Sequence, residues 1–283
     1  MIHSCLLRIT VPNEKSVRQL DDKFGAHPKE VAPALLKLAA AKGINIRGIS
    51  FHIGISTTNF QSYHDGMTSA RDLIDYGRSL GHKMDIVDLG GAFPGNEGEP
   101  YVLFKEAAEV IRRAASALFP DLHGVRLIAE PGRFFSQPPV AVVPNIYAVK
   151  QVPAKAIIKE SSDENGIGFM YFLNDGLYGS FSSVITESWV VNGKPLFEPA
   201  DAKEYPSILW GPTCDSVDVV EPRKTMPRLQ VGDWLFYDRL GAYSTCLTTT
   251  FNGHRAPAYT YVCSDRLWNE LEQSRRKHWN SLV

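Results

Sequence analysis

The sequence predicts an α/β segment with parallel strands, followed by an all-β segment, with the change near residue 137. Three observations predict this. Apolar runs at 5–10, 44–51, 84–89 and 125–129 alternate with stretches of helical periodicity, the order that produces parallel strands joined by crossover helices. Chemically capable residues recur at the C-terminal ends of those runs: Arg8, His52, Gly90-Gly91, and Glu130 to Arg133. From Pro138 the helical periodicity stops, and short β-branched or aromatic runs stand between turn residues. Such spacing suggests an antiparallel sandwich or barrel.

The first run, 5–10, reads as a strand ending in polar residues. After Pro28, apolar positions at Val31, Leu35, Leu36, Leu38 and Ala39 have helical spacing and stop at Gly43. The second strand runs into His52-Ile53-Gly54, and Phe60, Tyr63, Met67, Ala70, Leu73, Ile74 and Leu80 mark one face of the next helix. The third strand leads directly into Gly90-Gly91-Ala92-Phe93-Pro94-Gly95. A helix over 102–119 buries Val110, Ile111, Ala114 and Leu118, and the fourth strand ends at Ala129-Glu130-Pro131-Gly132-Arg133. In the second segment the strand runs are 140–143, 169–173, 189–191, 207–210, 234–237 and 259–262. Residues 161–166 read as an exposed hairpin loop, and 267–283 as a polar, basic terminal helix. The expected division is therefore 1–137 and 138–283.

Composition narrows the function classes. At 283 residues, 44% hydrophobic and 22% charged, the chain is ordinary for a soluble globular protein with a substantial core. A formal charge of −1 gives no reason to expect nucleic acid or an acidic membrane as a partner. No apolar run approaches the length of a membrane helix. Four scattered cysteines, without CxxC or metal-ligand spacing, fit reduced thiols in a cytoplasmic protein.

Polar groups at successive strand ends point to one shared pocket, in a (β/α) barrel or in a doubly wound sheet. Glu130 can hold a heterocyclic nitrogen protonated, because a nearby carboxylate favours the charged form of a base. Gly132 permits close backbone approach, and Arg133 offers a planar donor fork suited to phosphate or carboxylate. Taken singly, each has a plainer reading: His52 as a satisfied core histidine, Gly90-Gly91 as a turn, Glu130 and Arg133 as a solvated ion pair. Cys214, beside Asp215 on a Gly-Pro turn, reads alone as a small buried hydrophobe.

In combination, Phe51-His52-Ile53-Gly54, Asp88-Leu89-Gly90-Gly91, Glu130-Pro131-Gly132-Arg133, Asn174-Asp175-Gly176-Leu177-Tyr178-Gly179-Ser180-Phe181, Trp210-Gly211-Pro212-Thr213-Cys214-Asp215 and Asp238-Arg239-Leu240-Gly241-Ala242-Tyr243 closely resemble the eukaryotic ornithine decarboxylases. The resemblance implies the second half of a TIM-like (β/α)8 barrel and a C-terminal β domain. It also implies pyridoxal 5'-phosphate as cofactor, and decarboxylation of L-ornithine to putrescine. By that resemblance His52 stacks on the cofactor ring, Glu130 pairs with its nitrogen, and Arg8 is a cation near the ring. Gly90, Gly91, Gly132, Arg133 and Tyr243 hold the phosphate. Cys214 returns a proton to the α-carbon, while Asp215 and Glu187 bind the distal amine. Cys214 and Asp215 act across a dimer interface.

The sequence departs from the family pattern in several places. The family's cofactor-bearing lysine belongs to the first barrel strand, and this chain reads as N-terminally truncated, starting near the fifth. Lys83 lies at the wrong end of its strand and Lys105 on a helix. Ile55 stands where the family has a phosphate-binding serine, with Ser56 beside it, and Ala92 replaces a glycine. Glu187 stands for an aspartate and Thr186 for a tyrosine. Such a chain is expected to be inactive alone. It would pair as a homodimer, or as a heterodimer with a full-length homologue. The alternative is a regulatory partner resembling antizyme inhibitors, or a fragment of an active enzyme.

Overall fold

In the computed structural model, residues 4–17, 19–55, 57–91, 93–95, 102–120, 124–159, 166–199 and 203–279 are described. Ser56, Ala92 and most of the expected 161–166 loop lie outside them.

The first unit is a four-stranded parallel sheet in the order β1 (Ser4–Arg8), β2 (Asn45–Ser50), β3 (Ile86–Asp88), β4 (Arg126–Ile128). Helices α1 (Ala32–Ala41), α2 (Gln61–Ser79) and α3 (Val102–Leu118) form the crossovers. The apolar stripe of α2, with Tyr63, Met67, Ala70, Leu73 and Ile74, is buried together with Ile49, Phe51 and Val87 of the sheet. An amphipathic helix is held in place mainly by such burial rather than by its intrinsic propensity. The sheet is open. Its outer strand β4 is exposed along its length, with Leu127 and Ile128 each 38% accessible.

A short helix α4 (Gly132–Ser136) leads into the second unit. Its main sheet has the order β5 (Ile146–Pro153), β6 (Ile167–Leu173), β8 (Glu204–Trp210), β9 (Val219–Pro227). The pair β7 (Lys194–Pro195) and β10 (Leu235–Phe236) makes a small second sheet. A second core, with Phe169, Tyr171, Phe181, Leu209 and Tyr237, fills the space around them. The expectation of a purely antiparallel domain is corrected at one place: β6 and β8 run parallel. The long connection between them, which carries α5 (Ser182–Thr186) and β7, is the crossover that parallel neighbours require. The last helix, α6 (Asp265–Trp279), follows an extended and exposed stretch.

Candidate active site

The four parallel strands deliver their polar residues to one end of the sheet. Arg8 closes β1, His52 follows β2, Gly90 and Gly91 follow β3, and Glu130 follows β4. A cavity of about 460 Å³ opens there. Arg8, His52, Ile55, Gly91, Glu130 and Gly132 line its sheet side. Leu20 and Phe24, from the segment after β1, form one wall. Arg133 and Gln137 line another side, with Trp189 and Tyr243 of the second unit.

On the sheet side, Gly91 and Gly132 bring backbone to the cavity beside His52 and Glu130. Gly90 has a φ of +65°, a conformation that side chains rarely adopt. A Cβ on Gly91 would sit 2.8 Å from His52 Nε2. His52 Nδ1 accepts the Gly54 N–H at 3.1 Å. Burial, helped by the positive charge of Arg8 and opposed by Asp88, lowers its pKa to about 4. The imidazole is therefore neutral near pH 7. Loss of hydration and the neighbouring Asp88 carboxylate raise the Glu130 carboxyl, while Arg8 pulls it down. Asp88 is buried; its Oδ1 accepts the Gly90 N–H at 3.0 Å and its Oδ2 the Ser50 hydroxyl at 3.3 Å. Arg8 lies 4.8 Å from the centre of the Phe24 ring.

A second part of the lining is built around Arg133. Its Nη2 donates to Glu187 Oε2 at 2.9 Å, with the two side chains only 14% and 7% exposed. The guanidinium lies over the rings of Tyr243 (4.9 Å) and Trp189 (5.7 Å). Its Nη1 is buried without a hydrogen-bond partner, as is Gln137 Oε1. Ile55 lines the cavity with an aliphatic side chain, and its N–H is used on Ser16 Oγ at 2.8 Å.

Cys214 and Asp215 are not among the lining residues. Cys214 is exposed, its sulfur 3.9 Å from Asn252 Oδ1. Asp215 accepts a short hydrogen bond from the Tyr178 hydroxyl, which holds its carboxyl below the usual range. Both sit on a turn braced by buried Asp218, which accepts from Thr213 N–H (3.0 Å), Thr213 Oγ1 (2.7 Å) and Leu177 N–H (2.7 Å). Among the described residues no lysine lines the cavity. Lys83 instead pairs with Asp85 at 3.0 Å, and Lys105 is exposed on α3.

Sequence reasoning missed Gln137 and counted Trp189 as part of a strand. The signal available for Trp189 was its place two residues after the acid Glu187.

A model of the pyridoxal-binding domain of pyridoxal-dependent decarboxylases matches residues 2–137, and one of their C-terminal sheet domain matches 140–241. The chain belongs to the pyridoxal-dependent decarboxylases. It is 44% identical to ornithine decarboxylase of Caenorhabditis elegans, over 95% of this chain and 63% of that protein. Antizyme inhibitor 2 of Xenopus laevis is 33% identical, over 96% and 59%. The Paramecium bursaria Chlorella virus arginine decarboxylase bound to agmatine superposes with a TM-score of 0.79 at 32% identity, over 90% of this chain and 65% of that one. The chain thus spans about 60% of the length of the curated relatives it matches.

The family's cofactor, pyridoxal phosphate, fits the residues present. A neutral imidazole with glycine backbone beside it suits an aromatic ring, and Glu130 suits a ring nitrogen. The partnerless Arg133 Nη1 is a buried donor suited to a phosphate oxygen. The fit is poorest at Ile55, which contributes no side-chain donor.

Proposed function

We propose that this chain carries the greater part of an ornithine decarboxylase active site, built for turning L-ornithine into putrescine, and that these 283 residues by themselves hold the cofactor without turnover. The observation that carries the reading is the convergence of His52, Glu130 and Arg133 on one cavity, in a chain similar to ornithine decarboxylases along most of its length. Bound pyridoxal phosphate would supply an electron sink for the charge left when carbon dioxide departs. Glu130 would hold a proton at the ring nitrogen, because its anion stabilises the charged pyridinium. Neutral His52 offers its ring face without adding a competing charge. Arg133, Gly90, Gly91, Gly132 and Tyr243 would hold the phosphate, with Arg8 as a cation on the ring side.

Cys214 and Asp215 would work in the cavity of a second subunit, the first giving a proton to the α-carbon and the second binding the substrate's distal amine. The exposure of Cys214, and the absence of both residues from the cavity lining, support that division. Glu187 would reach the same amine only on releasing Arg133. We take 1–137 as the cofactor-binding half, a homodimer or a heterodimer with a longer homologue as the assembly, and the cytoplasm as the setting. Exposed thiols agree with that setting. Among the described residues, no helix is long and apolar enough to cross a membrane.

One observation favours a second reading: the absence of lysine from the described cavity lining. These 283 residues alone would then bind cofactor without turnover and serve as a regulatory subunit. Titration with pyridoxal phosphate, followed by tryptophan quenching, tests the shared premise. Wild type should saturate, and Glu130→Ala and Arg133→Ala should each weaken binding by roughly ten- to a hundred-fold. Unchanged affinity in both variants would remove the premise.

A further inference from the structure

We propose that Glu187 is the resident counter-ion of the cavity's anion site, so that a phosphate-bearing ligand enters by displacing its carboxylate from Arg133. The proposal rests on the cofactor reading above and adds to it a competition built into this chain.

The Arg133 guanidinium lies against two aromatic side chains, Tyr243 and Trp189, and is mostly shielded from water. A cation so placed needs an anion, because an unpaired buried charge is strongly unfavourable. Glu187 meets that need at 2.9 Å, on one side of the fork only. Nη1, the other side, has no hydrogen-bond partner. One carboxylate therefore serves half of a donor set that a phosphate, with its several oxygens, could serve in full. Glu187 is the C-cap of α5, and Ser188, between it and Trp189, has a φ of +53°. The segment that places both residues thus passes through a backbone conformation that non-glycine residues rarely adopt. Ile55 offers the anion no hydroxyl, so Arg133 carries a larger share of the binding, and competition at Arg133 governs the whole site.

The test is calorimetric titration of inorganic phosphate, and separately of pyridoxal phosphate, into wild type and Glu187→Gln at neutral pH and low salt. Glutamine keeps an acceptor for Nη2 but removes the competing charge. The expected result is phosphate binding at least about ten-fold tighter in Glu187→Gln than in wild type. Phosphate should also raise the variant's melting temperature more than wild type's, since ligand stabilises in proportion to occupancy. Glu187→Asp keeps the charge with a shorter reach, and it guards against a glutamine variant that does not fold. It should bind phosphate about three-fold or more tighter than wild type. Equal or weaker binding in the variants overturns the proposal and leaves the cofactor reading intact, provided pyridoxal phosphate still binds. Failure of wild type and variants alike to bind either ligand overturns both.

Discussion

Two polar clusters in this chain have opposite physical characters. Around Arg133 the charges are shielded and paired, with aromatic rings against the guanidinium, and the cluster lines a cavity. Around Cys214 the thiol and the Tyr178–Asp215 pair face outward, on a turn whose rigidity comes from Asp218 behind it. The first cluster is complete enough to bind something within one chain. The second is held in a fixed shape, its exposed thiol beside Asn252 and its Tyr178 ring against Phe251. Burial, not residue type, sets the cluster that lines the cavity apart from the one on the surface.

Substitutions should sharpen that contrast. Arg133→Ala should have the largest effect, about 3–5 kcal/mol of unfolding free energy in urea, because it strands the Glu187 carboxylate in a dry site. A loss under about 1 kcal/mol would mean that the pair is effectively solvated. Asp218→Asn comes next, at about 1.5–3 kcal/mol, since an amide cannot accept from all the donors that the carboxylate serves.

His52 should show a smaller, pH-dependent effect. Its folded pKa, about 4, lies below the ordinary histidine value of 6.5. The unfolded state then binds more protons between those values, so His52's contribution is present above pH 6.5 and is lost as pH falls towards 4. Urea midpoints measured across that window should slope less in His52→Asn than in wild type. Identical slopes would show that His52 is not buried as described. Tyr178→Phe should have the smallest effect on stability, lowering the urea midpoint only slightly at neutral pH while the Asp215 carboxyl titrates at higher pH by NMR. An unmoved titration would discount the hydrogen bond.

The parallel unit was legible because its strands and helices repeat a strict alternation, and because one face of α2 is apolar along its length. The run at 234–237 contains β10, but in the main sheet of the second unit only the central strands were legible. β6 and β8 match the runs at 169–173 and 207–210. The edge strands β5 and β9 escaped notice because Lys150 and Gln151 in one, and Pro222 to Lys224 in the other, are tolerated where one side of a strand lies unpaired. Conversely, the run at 259–262 looks like a strand but forms none, and Tyr261 is 95% exposed. β-propensity has no effect without a partner strand. Within the site, Arg133, His52 and Glu130 were readable from their places after apolar runs. The Arg133–Glu187 pair was not, since it joins two units across a long sequence separation and no local pattern records it.

Under the proposal above, the cavity of these 283 residues holds pyridoxal phosphate through side chains and backbone alone, with no lysine among the described lining residues. The most direct measurement mixes the protein with pyridoxal phosphate, reduces with borohydride, digests and weighs the peptides. Labelled ornithine in a parallel sample reports carbon dioxide release. Saturable, reversible binding is expected, with no stoichiometric mass increment on any single lysine and carbon dioxide release at the protein-free rate. A stoichiometric increment on one lysine, together with release above that rate, would rule out lysine-free binding.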